Sequence, residues 1–403
     1  MRVALRDNIF GDRFFGDKCS GKMSGNENIW IIDSTLRDGE QAPGVVFSLK
    51  EKLRLAGLLD DVGIDEIEAG IPAMGEEAIG TIRRIVRLKL AARILVWSRA
   101  LRKDIDLAAR TDADAIHIAF PLSDIQLSAM GKEWDWVKEN VPAMVEYASR
   151  YFQYVSVGAQ DASRCGNERL ADFIGMVVKT NACRLRIADT VGTLTPLATM
   201  ELLQGIRDNW PSLDIDFHAH NDLGMATANS ITAWQSGARS ISVTVNGLGE
   251  RAGNASLEEF LMAVSLHGGV SKYNISKLYS LCRYVSEISG RPIPPGKAVC
   301  GQMAFSHESG IHAKATCKNP LAFQLYNGEE VGRETFNTLF GTHSGTGALK
   351  YLLEQHHIFV CDTVISLLKR EICRLSRERH ATLSPSEVLR VHGHLFGEYR
   401  CKS

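Results

Sequence analysis

From Asn28 onward, short runs of apolar and β-branched residues alternate with longer stretches whose apolar positions recur at helical spacing. Eight such runs lie near Ile31–Asp33, Glu66–Ile71, Arg93–Ser98, Ala115–Phe120, Tyr154–Ala159, Arg184–Asp189, Ile215–His220 and Ser240–Val245, each leading into a polar or glycine-containing turn. Repeated strand-then-helix units predict a parallel sheet. Eight units in roughly 260 residues match an α/β chain folded as a (β/α)8 or TIM barrel. An open doubly wound sheet would favour a glycine fingerprint directly after its first strand, whereas the turn after Asp33 carries charge.

The pattern changes at Arg291-Pro292-Ile293-Pro294-Pro295-Gly296, a cluster of chain breakers that marks the main boundary. Residues 300–345 mix glycine, histidine and short apolar pieces, and Leu349 to Phe396 return to helical periodicity. The expected organisation is a flexible extension over 1–27, a catalytic barrel over 28–290, a linker subdomain over 291–347 and a mostly helical C-terminal appendage over 348–403. Within the extension, Phe-Gly-Asp at 10–12 recurs at 15–17, with no function attached to it.

Composition narrows the partners. A formal charge of −1 and a hydrophobic fraction of 45% describe an ordinary globular protein without the basic footprint of a nucleic-acid or membrane-surface binder. A small-molecule substrate is the default that remains. Nine scattered cysteines with no C-x-x-C pair argue against a disulfide framework or a thiolate zinc site and fit a reducing cytoplasm. Met1 to Asn28 lack the continuous apolar core of a signal peptide, and no later run has the length of a membrane span.

The chemistry concentrates in two distant segments, Ser34 to Gln41 and His218-Ala219-His220. Residues i and i+2 of a strand project from one face, so both imidazoles reach a single metal ion when that stretch is extended. Paired histidines also serve as ordinary hydrogen-bonded barrel groups, and an Arg-Asp-Gly turn is commonly a solvated one. Context favours metal: Asp38 offers a hard oxygen after strand one, and Asn254 offers another in the loop Asn246 to Asn254. Arg37 beside such a site would stabilise an enolate or alkoxide oxygen. The glycines at 247, 249 and 253 either form a plain strand-to-helix turn or allow close approach of a bulky ligand. In a barrel, Asp38, Ser98-Arg99, Asp189-Thr190, the two histidines and this loop all fall on the C-terminal rim.

Together these segments resemble the metal-dependent acyl-CoA condensing and lyase superfamily, with its Arg-Asp-Gly turn and His-x-His strand. Asp33 to Gln41, Ala188-Asp189-Thr190-Val191-Gly192, His218 to Asp222 and Asn246 to Asn254 look like the branch of isopropylmalate, citramalate and homocitrate synthases, over about residues 29–347. Glu68 to Glu77, Trp97-Ser98-Arg99 and Asp161-Ala162-Ser163-Arg164 are most similar to the nitrogenase-associated homocitrate synthases. The resemblance implies condensation of acetyl-CoA with 2-oxoglutarate and water to homocitrate and CoA. Related outcomes are an isopropylmalate, citramalate or citrate-forming synthase; different in kind are a hydroxyacyl-CoA lyase and a silent binding barrel.

By the same resemblance, Asp38, His218, His220 and Asn254 hold a divalent ion (Mg, Mn, Zn or Co), Arg37 polarises the 2-oxo group and Thr190 contacts the substrate carboxylate. Glu40 and Glu68 are expected as supporting carboxylates, and Arg99 and Arg164 as cations for a distal carboxylate. His312 is expected to transfer a proton from a linker swapped into a partner's barrel, which implies a homodimer. Two positions depart from the family pattern. Phe323, with Tyr326 nearby, stands eleven residues past His312 where a tyrosine is usual, and Gln160 replaces a glutamate. No room remains for an appended leucine-sensing domain, so leucine regulation is not expected.

Overall fold

The computed structural model describes residues 29–308, 315, 319–333 and 337–397. Its first eight strands close into a parallel barrel in chain order: β1 (Trp30–Asp33), β2 (Glu66–Glu68), β3 (Arg93–Arg99), β4 (Ala115–Pro121), β5 (Tyr154–Gln160), β6 (Arg184–Asp189), β7 (Ile215–Ala219) and β8 (Ser240–Val243). Closure is made by β1 on β8, in the register Trp30 to Ser240 through Asp33 to Val243. All eight expected strands are present. Their ends differ where the backbone turns to build the rim. Gly70 takes φ 144° and Pro72 opens a 3-10 turn, so β2 stops at Glu68. His220 leaves the β7 ladder for an isolated bridge to Asn254.

Local sequence explains the helices that cover the barrel. Leu49–Val62 (α1) starts at a capping box of Ser48 and Glu51 and stops at Gly63 with φ 88°. The helix Pro196–Asn209 has Thr195 as its cap and proline in its first position. Their apolar faces and the outward side chains of the strands form one continuous core, including Phe120, Phe173, Phe217 and Phe260.

The inside of the barrel is polar. Alternation along each strand aims Glu66 and Glu68, Arg184 and Arg186, and Asp216 and His218 to the axis. Arg184 pairs with Glu66 and lies 5.1 Å from the Tyr154 ring. One level nearer the rim, Arg186 Nη1 donates to Glu68 Oε1 at 3.0 Å and Nε to Asp216 Oδ2 at 2.5 Å, while Ser242 Oγ donates to Asp216 Oδ1 at 3.0 Å. These buried charges are compensated in pairs, the condition under which ionised side chains survive in an interior.

After the barrel, β9 (Ser306–His307) pairs in parallel with β10 (Asn337–Thr338). Helices Thr346–Gln355, Asp362–Arg379 and Pro385–Phe396 bury a separate small core around Leu349, Leu353, Leu368 and Ile372. Lys297 Nζ, just past the breaker cluster, pairs with Glu258 at 3.0 Å and Glu259 at 2.9 Å on the barrel. Among the described residues, no helix is long and apolar enough to cross a membrane.

Candidate functional site

The turn after β1 is tied down before it reaches the cavity. Thr35 donates both its N–H and its hydroxyl to the Asp33 carboxylate at 2.9 Å, and its Oγ1 accepts from Val245 N at 2.9 Å. That clamp joins the ends of β1 and β8 and presents Arg37 and Asp38 at the barrel mouth. Asp38, His218 and His220 are all buried, and their ligand atoms lie within 4.8 Å of one another. Asp38 Oδ2 is 3.0 Å from His218 Nε2 and 3.8 Å from His220 Nε2, and the two Nε2 atoms are 3.3 Å apart.

Lone-pair atoms from a carboxylate and two imidazoles thus converge on one point. Burial opposes ionisation of Asp38, but the Arg37 guanidinium, at 3.3 Å, and then the imidazoles hold its carboxyl well below the usual range. Burial, reinforced by His218, pushes His220 down to about 4, so its ring is neutral and offers a lone pair. Asp38 Oδ2 and Asn254 Oδ1 are buried without a hydrogen-bond partner. Asn254 Nδ2 donates to Leu248 O at 3.0 Å, which leaves the amide oxygen as the unpaired atom. Mixed oxygen and imidazole donors with unsatisfied buried acceptors fit a divalent cation.

The loop that carries Asn254 explains its glycines. A Cβ at Gly253 would collide with Gly247 O, and one at Gly249 with Asn254 Nδ2. The expected close approach is therefore made by the loop to itself, which sets Asn254 in place. Asn246 and Arg251 take φ 59° and 53°, unusual for residues other than glycine and a sign of a conformation fixed by its surroundings.

Below and beside the cluster is a cavity of about 200 Å³, of a size for a small organic acid. Arg37, Gln41, Trp97, His117, Gln160, Arg186, Thr190 and Arg251 contribute to its wall. Arg37 is gripped by Glu68, Nε to Oε2 at 2.7 Å, which also accepts from Ser34 Oγ at 2.5 Å. Thr190 Oγ1 accepts from Asp161 N at 2.8 Å, leaving its proton for a ligand.

Several expected residues stand elsewhere. Arg99 turns away at the end of β3 into a two-bond pair with buried Asp104, at 2.7 and 3.1 Å, with 55% of its side chain exposed. Arg164 is held by Asp161 at 2.7 Å. Neither forms part of the cavity wall. Glu40 accepts from Phe47 N at 3.1 Å and Lys52 Nζ at 2.6 Å, anchoring the segment before α1 instead of facing the cluster. Glu68 is the fully buried anchor of Arg37 and Arg186 and does not itself line the cavity. Tyr326 packs edge-on against Phe305, with ring centroids 5.5 Å apart. His312 lies outside the described residues.

Arg186 and His117 lie in the cavity wall, although the motifs gave no reason to single them out. A signal was available, since a charged or imidazole side chain within the apolar runs Arg184 to Asp189 and Ala115 to Phe120 marks an inward barrel position.

A family model described as HMGL-like matches residues 28–285, and one described as homocitrate synthase post-HMGL domain-like matches residues 299–380. The chain is 39% identical over 369 residues to 2-isopropylmalate synthase 2 of Caldanaerobacter subterraneus subsp. tengcongensis, covering 90% of this chain and 95% of that protein. Homocitrate synthase 1 of Nostoc sp. is 39% identical, with 90% and 96% covered. The (R)-citramalate synthase of Methanocaldococcus jannaschii is 40% identical, with 85% and 70% covered. An HMG-CoA lyase of Bacillus subtilis superposes with a TM-score of 0.60 at 18% identity, over 66% of this chain and 96% of that one, and shows the shared fold alone. By the match of its barrel and of the region after it, the chain belongs to the HMGL-like family, in the branch of homocitrate, isopropylmalate and citramalate synthases.

Proposed function

We propose that this protein is a metal-dependent homocitrate synthase, which joins acetyl-CoA to 2-oxoglutarate and hydrolyses the thioester product. The observation that carries the reading is the convergence of Asp38, His218 and His220, with Arg37 alongside, at the mouth of a closed barrel. The relatives support a condensing synthase, and they include makers of three different hydroxy-acid products at similar identity.

Asp38, His218, His220 and the oxygen of Asn254 would hold the cation, which when bound supplies a Lewis acid for the oxygens of a 2-oxoacid. Arg37, fixed by Glu68 and Asp38, places a permanent positive charge where the ketone oxygen becomes an alkoxide. Thr190 donates its free proton to the substrate carboxylate and so fixes which face of the ketone is open. A base removes a methyl proton from acetyl-CoA, the carbanion carbon bonds to the ketone carbon, and the carbonyl electron pair moves to oxygen. The alkoxide takes up a proton, and water then cleaves the thioester, releasing CoA thiol and the third carboxylate of homocitrate. His312 is proposed to carry the proton in the first step, delivered from the linker of a partner in a homodimer.

Release of CoA thiol is measured with added Mg²⁺ or Mn²⁺ while 2-oxoglutarate, 2-oxoisovalerate, pyruvate and oxaloacetate are offered separately, and products are identified by mass. Preference for 2-oxoglutarate with homocitrate formed supports the reading; preference for another acid replaces homocitrate with that acid's product. Chelation should abolish turnover and metal should restore it. His218→Ala is expected to lower metal affinity and turnover together, by roughly 10²-fold or more, and unchanged metal content by elemental analysis would remove it as a ligand. His312→Ala is expected to keep its metal and lose about 10²-fold in turnover.

A further inference from the structure

The wall of the cavity carries a buried polar pair that the metal cluster does not use. Arg186 is 2% exposed, with Nε on Asp216 and Nη1 on Glu68, and its Nη2 is buried without a partner. Because Arg186 also borders the cavity, an acceptor that enters there can supply the partner this donor lacks. Next to it in the ladder is Gly158, and in the space its missing side chain leaves lies His117, whose Nε2 would be 2.5 Å from a Cβ at that position. His117 Nδ1 is 2.9 Å from Ser156 Oγ. Burial, then the charge of Arg186, keeps this imidazole well below its ordinary pKa, so it is neutral. In the tautomer where the Ser156 hydroxyl donates to Nδ1, the ring proton is on Nε2, the atom that occupies the space beside Gly158 in the cavity wall.

Depth gives the pair its meaning. On the ladder Ala188 is the partner of His218, and Arg186 is two residues earlier on β6. Two residues of strand rise are roughly 6.6 Å, a step that the short carbon chain of a 2-oxo diacid can bridge. A substrate whose 2-oxoacid end lies at the metal cluster therefore sends its other end down the axis to Arg186 and His117. Arg99, Arg164 and Arg251 are paired as well, with Asp104, Asp161 and Asp222, but unlike Arg186 none of them has a buried donor without a partner. An alkyl tail in the same place would bury Nη2 with no acceptor.

We propose that Arg186 and His117 form the subsite that binds the far carboxylate of a dicarboxylic 2-oxoacid. The proposal rests on the condensing-enzyme reading for the placement of the first carboxylate and names what selects the substrate at its other end.

The test is calorimetric titration of the full-length, Mn²⁺-loaded protein with 2-oxoglutarate and with 2-oxopentanoate, which has the same chain length and no second carboxylate, alongside CoA-release kinetics. Wild type is expected to bind the diacid at least ~10-fold tighter. Arg186→Lys, which keeps charge and loses the fork, should shrink that ratio ~10-fold or more. His117→Phe, a neutral change that spares the ion pairs, should shrink it several-fold even if the arginine variant does not fold.

Equal binding of the two acids by wild type, equal weakening of both by Arg186→Lys, or an unchanged ratio in folded His117→Phe would overturn the subsite. Diacid selectivity in binding without CoA release with any acid would keep the subsite and defeat the synthase reading. CoA release without such selectivity would do the reverse.

Discussion

Phe217 and His218 are neighbours on β7, yet they belong to different environments. Phe217 is fully buried in the apolar layer between strands and helices, and His218 points to the axis, 3.0 Å from Asp38. The same contrast runs round the barrel, with Ile67 outside Glu68 and Ile187 outside Arg186. The outer layer resists change through the volume it fills; the inner one depends on partners, because each charge there is compensated by another. A single truncation therefore has different consequences on the two sides. Outside it leaves a cavity, and inside it leaves an unpaired charge and displaces the groups that charge was holding.

Breaking the inner network is the largest expected effect. Glu68→Ala leaves Arg37 with Asp38 and Arg186 with Asp216 as their remaining carboxylate partners, removes one charge from a buried network, and is expected to cost about 3–5 kcal/mol in chemical denaturation. Turnover of the folded fraction should also fall, because Arg37 loses its anchor. Normal turnover in folded protein would show that Arg37 is positioned without Glu68. Phe217→Ala is the matching outer change and should cost a similar ~3–5 kcal/mol, while the KM for the 2-oxoacid and the metal content stay at wild-type values. Should KM rise with that substitution, the two faces are coupled and the contrast is weaker than drawn.

The C-terminal helices offer a milder comparison. Leu368→Ala in their small core is expected to lose about 2–5 kcal/mol, measured as a shift in the unfolding transition of that region by hydrogen exchange, with protection of β5 and β6 unchanged. Matching losses of protection in the barrel strands would make the two cores one cooperative unit. Smallest is Ser384→Ala, which removes the capping box of Ser384 and Glu387 at the start of the last helix. About 1 kcal/mol is expected, and a loss several times greater would mean that Ser384 supports more than its own helix.

The sequence made the strands legible because the outward face of each strand is apolar and rich in β-branched residues, and eight such short runs between helical stretches leave few topologies. It also gave Arg37, Asp38, His218, His220 and Thr190, all of which border the cavity. Asn254 was found through its motif, and the folded loop supplies the reason for its glycines. Arg99, Arg164 and Glu40 lie outside the cavity wall, because a rim position by itself leaves open which partner a charged side chain will meet. Each found a nearer one, in Asp104, in Asp161, and in Lys52 with Phe47 N.

What the sequence alone determined is the order of strands and helices, the presence of two histidines at alternate positions of one strand and the family. These follow from periodicity and from short motifs, both local properties of the chain. What only the tertiary structure decided is which charges face one another across the axis. Glu68 and Arg186 are 118 residues apart, and their contact exists because strand alternation and barrel closure aim both inward at one level. Pairing across that distance depends on register and shear, and no local pattern records those.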